Sequence, residues 1–298
     1  MIFLTDFLFS MVGVLLSVAF FTLMERKFMG LMHFRKGPNK TIPWGVSQPI
    51  SDALKLLTKE FPKFQSNKMI MFFMGPVISI IIMLLCWGWF NYHSSINSSN
   101  LKMMMILSLM SLTAYGLLFC SWGSNSKYSI LGGHRAVAQI ISYEVCLVMF
   151  TLIVIYINKS YNMKMMMMMQ ENMWMGVFSI PLLLCWMIIC MAESNRTPFD
   201  MAEGESEIVS GFNIEYGGGL FALIFISEYG MIMFLSFISV LLFLGSTLIM
   251  FKTFLICFMF VWVRCSFPRV RYDYLMMLCW KMILPYSIAL TMLSCCLL

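Results

Sequence analysis

The pattern of hydrophobic and polar positions along the chain consists of long apolar stretches separated by polar segments. Eight stretches reach membrane-spanning length, and we predict transmembrane helices over residues 3–24, 69–90, 103–122, 136–157, 173–192, 219–243, 246–263 and 275–296. At about 1.5 Å per residue, such stretches cover about 27–37 Å, enough for a hydrocarbon core of about 30 Å. The pattern therefore predicts an all-α polytopic membrane protein with about eight transmembrane helices in a single membrane domain, residues 1–298.

One polar connection also shows helical periodicity. Between residues 25 and 68, apolar side chains recur at helical spacing at Ile50, Ala53, Leu54, Leu57 and Phe61. This spacing predicts an amphipathic helix that lies at the membrane interface. Two interpretations stay open: a surface anchor, or the wall of a cavity open to lipid in which Asp52 and Lys55 face a polar partner.

The positive charges are distributed unevenly between the predicted loops. Loops 25–68, 123–135, 193–218 and 264–274, together with Lys281, carry sixteen of the twenty Lys and Arg residues. By the positive-inside rule these loops lie on one side of the membrane, which in a mitochondrion is the matrix side. A charged content of 11% and a mean hydropathy of +0.84 exclude an ordinary soluble domain, in which about 25% of residues are charged. The net charge of +6 reflects this topology rather than binding of nucleic acid.

The acidic residues are concentrated in the stretch 191–219. Six of the fourteen Asp and Glu residues of the chain lie there: Glu193, Asp200, Glu203, Glu205, Glu207 and Glu215. Arg196 is the only cation of the stretch and could pair with Asp200, four residues further on. Phe, Ile and Tyr residues stand among the acids, which indicates a partly buried segment rather than a solvated loop. We expect another protein to cover it.

Two further carboxylates lie inside predicted spans. Glu144 and Glu228 each follow the basic end of a span by about nine residues, about 13 Å into the bilayer. A carboxylate at this depth is costly, so a functional role is the default hypothesis. The alternative is a structural Glu that is hydrogen-bonded within the bundle. Two such residues at matched depth beneath an acidic loop favour a path for protons.

Cysteine and histidine patterns give no indication of a redox centre. The ten Cys residues include no C-x-x-C pair, and the three His residues are far apart. We therefore predict no metal, iron–sulfur or haem site in this chain. The 33 Met residues suggest an AT-rich organellar genome, although Met also serves as an apolar filler.

Five segments of the chain resemble motifs of one known family. They are RKGPN, QPISDALKLLTKE, LGGHRAVAQIISYEV, AESNRTPFDMAEGESEIVSGFNIEYGGG and SFPRVRYDYLM. In sequence and order they are similar to the chain 1 family of NADH–ubiquinone oxidoreductase, mitochondrially encoded membrane subunits at the heel of respiratory complex I. The resemblance covers essentially the whole chain.

The resemblance implies a subunit that forms the membrane end of the ubiquinone chamber and starts a buried proton path. The implied chamber residues are Arg26, Arg35, Asp52, Lys55, Phe225 and Arg271. The implied path residues are Glu144, Glu193, Glu203, Glu205 and Glu228, with Arg196 and Asp200 holding the loop. The chain itself would bind no cofactor, with ubiquinone as the substrate and flavin mononucleotide and iron–sulfur clusters in partner subunits. The implied partners are peripheral iron–sulfur and quinone-module subunits on the matrix side, neighbouring membrane-arm subunits and lipids of the mitochondrial inner membrane.

Three other interpretations use the same buried acids. A self-contained ion transporter would work without an electron donor, but the sequence shows no internal repeat with paired broken helices. A membrane anchor of a hydrogenase or another dehydrogenase would share the acidic loop and receive electrons from a different donor. A mere docking platform would tolerate neutralisation of its acids. The full-length motif match and the Met usage favour the complex I subunit.

Overall fold

The computed structural model describes residues 2–41, 43–60, 68–89, 101–171, 173–201, 204 and 211–296. Regular structure in these ranges is helical throughout. Two predicted path residues, Glu203 and Glu205, lie outside the described residues, as does Phe61 of the predicted amphipathic helix.

Thirteen α-helices are described in this part of the chain. In chain order they are α1 Ile2–Met32, α2 Gln48–Thr58, α3 Met69–Trp89, α4 Lys102–Ser111, α5 Thr113–Ser124, α6 Lys127–Asn158, α7 Met163–Met169, α8 Met175–Phe178, α9 Ile180–Glu193, α10 Gly218–Phe243, α11 Ile249–Ser266, α12 Tyr272–Met277 and α13 Leu284–Cys296. A π-helical segment, Leu278–Ile283, joins α12 to α13. Within the described ranges, seven helical stretches are long and apolar enough to cross a membrane. The predicted all-α polytopic membrane fold is confirmed.

The span predicted at residues 173–192 differs from the others because its helix is interrupted. The short helix α8 ends at Phe178, Ser179 has a non-helical backbone (φ −132°, ψ 66°), and α9 begins at Ile180. The cause is Pro181, which occupies the first turn of α9: proline lacks the N–H that would continue a helix from α8 but fits a helix start. Hydropathy alone could not detect this break.

Several loops are shorter than hydropathy predicted. The helix α1 continues to Met32 rather than ending near residue 24, and α6 begins at Lys127 rather than near 136. Helix therefore occupies most of the predicted loop 123–135, because only Asn125 and Ser126 separate α5 from α6. The membrane boundaries of this loop remain a prediction. The loop 264–274 is likewise shortened by helices on both sides. Hydropathy indicates which residues are apolar enough for the membrane, whereas a helix can extend beyond them to the residue that caps it. The cap of α6 is Ser126, whose side chain accepts a hydrogen bond from the Ser129 N–H.

The helices α3 and α5 pack closely because glycines line their contact. A Cβ atom built on Gly75 would lie 2.7 Å from the backbone nitrogen of Cys120. A Cβ on Gly123 would lie 2.6 Å from the Phe72 Cα atom. Small residues let membrane helices approach in this way, and packing then replaces the hydrophobic effect that water would supply.

The chain just before α10 is fixed on this helix pair by Tyr216. Its ring stacks on Phe72 with 4.2 Å between centroids. Its hydroxyl lies 3.1 Å from the Phe72 carbonyl oxygen and 3.2 Å from that of Cys120. Burial raises the pKa of the Tyr216 phenol, so the hydroxyl stays a donor. The C-terminal end of the acidic stretch is thereby held against α3 and α5.

The amphipathic segment forms a helix, α2, over Gln48–Thr58. It packs against α1 and α10, whereas Ile50, Leu54 and Leu57 are more than half exposed. An apolar face on the outside of the protein suits contact with lipid at the membrane interface.

The glycine contact between α3 and α5 leads to a testable prediction. Replacement of Gly75 by Ala places a methyl group against backbone atoms of α5 and should destabilise the protein by about 1–3 kcal/mol, the usual cost of overpacking. The matched control is Gly13→Ala in α1, where an added Cβ meets nothing within 4 Å.

The measurement is the thermal loss of folded protein after mild detergent extraction of the native assembly. The expected result is an earlier loss for Gly75→Ala and no earlier loss for Gly13→Ala. Equal melting of the two variants would contradict the role assigned to this contact.

Candidate functional site

Arg196 of the acidic stretch lies against the middle of α10. Its Nη2 donates to the Glu228 Oε2 atom at 2.9 Å, and both side chains are largely buried. The guanidinium carbon also lies 4.6 Å from the centroid of the Tyr229 ring and 5.9 Å from that of Phe225. One carboxylate and two aromatic faces of a single helix therefore surround this cation, and each is a favourable partner for it.

A second ion pair lies beside the first. Arg264 at the end of α11 pairs with the Glu25 carboxylate of α1, whose side chain is only 5% exposed. Tyr229 interacts electrostatically with Glu25, Arg196 and Arg264. The residues Glu25, Arg196, Tyr229 and Arg264 also line one small cavity. Two cations and two anions thus form a nearly neutral network between α1, α10, α11 and the acidic stretch.

A third ion pair ties the acidic stretch to the last basic loop. Arg269 Nη2 donates to the Asp200 Oδ2 atom at 3.1 Å, and the Val270 N–H donates to the Pro198 carbonyl oxygen at 3.0 Å. The described ion pairs therefore join Arg196 and Asp200 to residues that are distant in the chain. The predicted contact between Arg196 and Asp200 themselves remains a prediction.

Gln139 of α6 holds the start of the acidic stretch. Its Nε2 atom donates to the Ala192 carbonyl oxygen at 2.8 Å and to that of Phe199 at 2.9 Å. The side chain is fully buried. One amide group thus fixes the chain on both sides of Arg196 relative to the helix that carries Glu144.

Glu193 lies near both of the other described path residues. It ends α9, is buried, and interacts electrostatically with Glu144 of α6. It also lines, together with Glu228, a cavity of about 70 Å³. The Oε2 atom of Glu193 and the Oε1 atom of Glu144 are buried, and each lacks a hydrogen-bond partner among the described residues. Three carboxylates from three helices are thereby brought into one region.

The residues expected at the chamber are only partly brought together. Arg26 Nη1 donates to the Asp52 Oδ2 atom at 2.7 Å, and Gln48 Nε2 donates to Oδ1 at 2.9 Å, which links α1 to α2. Phe225 packs near Arg196. Three further chamber candidates are exposed and have no ion pair among those described: Arg35, Lys55 and Arg271.

Sequence reasoning did not single out Glu25, Gln139 or Tyr229. Glu25 could have been noticed as the one acid beside Arg26 and Lys27 at the end of the first span. Its partner Arg264 lies 239 residues away, and no local pattern indicates that contact. Gln139 and Tyr229 are uncharged residues of largely apolar helices, and only the neighbouring Glu228 could have drawn attention to Tyr229. In the part of the chain described, no three His, Cys, Asp or Glu residues are placed to hold a metal ion.

Comparison with known proteins gives the same assignment along almost the whole chain. The sequence model of the NADH dehydrogenase family matches residues 5–295. NADH-ubiquinone oxidoreductase chain 1 of Osphranter rufus is 45% identical over 299 residues, which cover 97% of this chain and 94% of that protein. The proteins of the same name from Rhipicephalus sanguineus and Aedes aegypti are 50% and 47% identical; the matches cover 94% and 95% of this chain and 90% and 94% of theirs. The chain therefore belongs to the family of chain 1 subunits of NADH–ubiquinone oxidoreductase.

Proposed function

We propose that this membrane subunit of complex I forms the membrane end of the ubiquinone chamber and begins the carboxylate path that couples ubiquinone reduction to proton translocation. The observation that carries the proposal is the position of Glu193, which interacts with Glu144 and shares a cavity with Glu228. A series of carboxylates whose charges act on one another can pass a change in protonation from one member to the next.

The proposed setting is the mitochondrial inner membrane, with loops 25–68, 123–135, 193–218 and 264–274 on the matrix side. The excess of Lys and Arg in these loops supports this orientation. Peripheral iron–sulfur and quinone-module subunits would cover these loops, and neighbouring membrane-arm subunits and lipids would surround the helices. Ubiquinone is the proposed substrate, while flavin mononucleotide and the iron–sulfur clusters belong to partner subunits.

Arg26 and Asp52 are proposed to line the entrance to the chamber. Their ion pair joins α1 to the interfacial helix α2, whose apolar residues face outwards. A lipid-soluble quinone that leaves the bilayer at this level would meet the apolar residues first and the polar pair next. Arg35, Lys55, Phe225 and Arg271 are proposed as further chamber residues, and Glu203 and Glu205 as further path residues.

The coupling step is proposed to act through the charge network around Arg196. Reduction of ubiquinone draws negative charge to the matrix-side surface of this chain. Two charges about 8 Å apart at an effective dielectric constant near 20 interact by roughly 2 kcal/mol, about a thirtyfold change in a protonation equilibrium. A new anion near Arg196 competes with Glu228 for that cation, and Glu228 is then more readily protonated. Protonation of one acid favours release of a proton by its neighbour, and the change moves along the path through Glu193 and Glu144.

The path leads to a prediction for the carboxylates. Glu228→Gln and Glu144→Gln keep the size of each side chain but remove its titration. Coupled ubiquinone reduction and proton pumping per assembled complex should each fall by about tenfold or more, since removal of a positioned proton-transfer group costs at least that much. The measurement is NADH-driven acidification in sealed vesicles.

The matched control is Glu171→Gln, because Glu171 is exposed and lies in an opposite-side connection. Its pumping should equal that of the unmodified protein. Complete coupled activity in Glu144→Gln and Glu228→Gln would refute the path assignment.

The proposed entrance leads to a second prediction. Because the Arg26–Asp52 pair is about half exposed, its loss should change stability by no more than about 1 kcal/mol. Its effect should instead appear in ubiquinone binding: Arg26→Asp should raise the apparent KM for ubiquinone roughly fivefold, the equivalent of about 1 kcal/mol of binding free energy. The double variant Arg26→Asp/Asp52→Arg, which restores an ion pair, should recover part of that loss. An unchanged KM in the single variant would exclude these residues from the entrance.

A further inference from the structure

The cavity beside Glu193 and Glu228 is lined by more polar groups than the acids alone. It lies between α3, α5, α6, α10 and the end of α9, and its volume is about 70 Å³. Seven polar residues line it: Ser79, Thr113, Glu193, Ser194, Asn195, Ser227 and Glu228. A water molecule requires roughly 10–15 Å³ of such space and two to four polar partners. The cavity therefore has both the room and the lining for several water molecules.

Two serines form a polar contact across this cavity. The Oγ atoms of Ser79 in α3 and Ser227 in α10 lie 3.2 Å apart. Each hydroxyl is also within reach of a carbonyl oxygen of its own helix: Ser79 with Pro76 at 2.9 Å, and Ser227 with Ile224 at 2.7 Å. A hydroxyl has one hydrogen but two lone pairs, so hydroxyls that donate to these carbonyls remain acceptors for hydrogen bonds from water.

The acids and amides of the cavity also require donors. The Oε2 atom of Glu193 and the Oδ1 atom of Asn195 are buried and have no hydrogen-bond partner among the described residues. A buried acceptor without a donor is destabilising, because it has lost its hydrogen bonds to water without replacement. Water can donate to two acceptors at once, and it can therefore bridge the Glu193 carboxylate and the serine oxygens in the same cavity.

We infer that Ser79 and Ser227 are positioning residues that hold water in this cavity and orient it between the Glu193 and Glu228 carboxylates. The inference rests on the proposed path and specifies how a proton moves between Glu193 and Glu228 within it. A proton on the Glu193 carboxyl group passes to a bridging water, which at the same time gives one of its own protons to the Glu228 carboxylate. The reverse transfer uses the same water, so that charge and atoms balance in each direction and the water is regenerated.

The position of Ser227 suits this role. It directly precedes Glu228 on α10, and its contact with Ser79 joins α10 to α3. A water molecule bound to the two serine oxygens is thus fixed relative to two helices at once. Loss of either hydroxyl would leave the water with fewer partners and a less defined orientation, and proton transfer would slow without any change in the carboxylates.

The test uses the complete complex I with Ser79→Ala, Ser227→Ala or the control Ser239→Ala. Ser239 is a buried serine of the same helix that also donates to its own helix, to the Ser236 carbonyl oxygen, but it does not line this cavity. Coupled turnover and pumping per assembled complex should fall roughly fivefold in the two cavity variants, the factor expected from the loss of one hydrogen bond. They should stay unchanged in Ser239→Ala.

Two further measurements distinguish water positioning from a structural role. The solvent deuterium isotope effect on coupled turnover should increase in Ser79→Ala and Ser227→Ala but not in Ser239→Ala. The infrared stretch of protonated carboxyl groups should shift in the same two variants, because the hydrogen bonding of Glu193 and Glu228 changes. If Ser227→Ala fails to assemble, Ser79→Ala alone decides the question.

Each outcome separates the serine assignment from the proposed path. If Glu228→Gln abolishes coupling while turnover, isotope effect and carboxyl bands are unchanged in both serine variants, the water-positioning role is wrong and the path stands. If Glu228→Gln keeps complete coupled activity, the path fails and the serine assignment fails with it. A slower turnover without a change in isotope effect or carboxyl bands would assign the serines to packing and overturn the inference.

Discussion

The cost of a charge in a low-dielectric interior determines how the basic-side half of this protein is assembled. An ionised side chain away from water needs an opposite charge and hydrogen bonds, or else it must become neutral. The pairs Arg196–Glu228, Arg264–Glu25 and Arg269–Asp200 each join elements that are far apart in the chain. Neutralisation of these charges therefore brings α1, α10, α11 and the acidic stretch to one place. Removal of one member of such a pair would leave an uncompensated buried charge, which costs more than the intact pair contributes to stability.

The two principal cavities of the described structure differ in their polar lining. A cavity of about 660 Å³ between α1, α10 and α11 has no charged residue in its wall. Its hydroxyls at Ser10, Ser17 and Thr253 each bond to a carbonyl oxygen three residues earlier in their own helix. The cavity of about 70 Å³ is much smaller, but carboxylates and buried unpaired acceptors line it. Volume alone favours the first cavity as a binding site, whereas the carboxylates and unpaired acceptors of the second favour that cavity as a site of proton transfer.

The sequence was sufficient for the fold class and pointed to candidate acids, but it did not indicate the partners of those acids. Periodicity and hydropathy are local properties, and they locate helices such as α10 and α2 correctly. The depth predicted for Glu144 and Glu228 rests on counting residues from the predicted end of each span, and it remains a prediction. The pairing of Glu25 with Arg264 depends on how helices pack, and no feature within a window of the sequence encodes it. The break at Ser179 was missed for a different reason: hydropathy weighs the apolar character of the segment and ignores the missing N–H of Pro181.

The surroundings of Arg196 also bear on whether the proposed coupling can run in both directions. When Glu228 is ionised, Arg196 has an ion pair; when Glu228 takes up a proton, the Tyr229 face 4.6 Å away remains as a partner for the cation. A cation–π contact contributes about 0.5–2 kcal/mol. Because the ring is a partner in both charge states of Glu228, it holds the Arg196 side chain in place whether or not the ion pair is formed. The cation can then pair with Glu228 again when the proton leaves, so the proposed step can run in either direction.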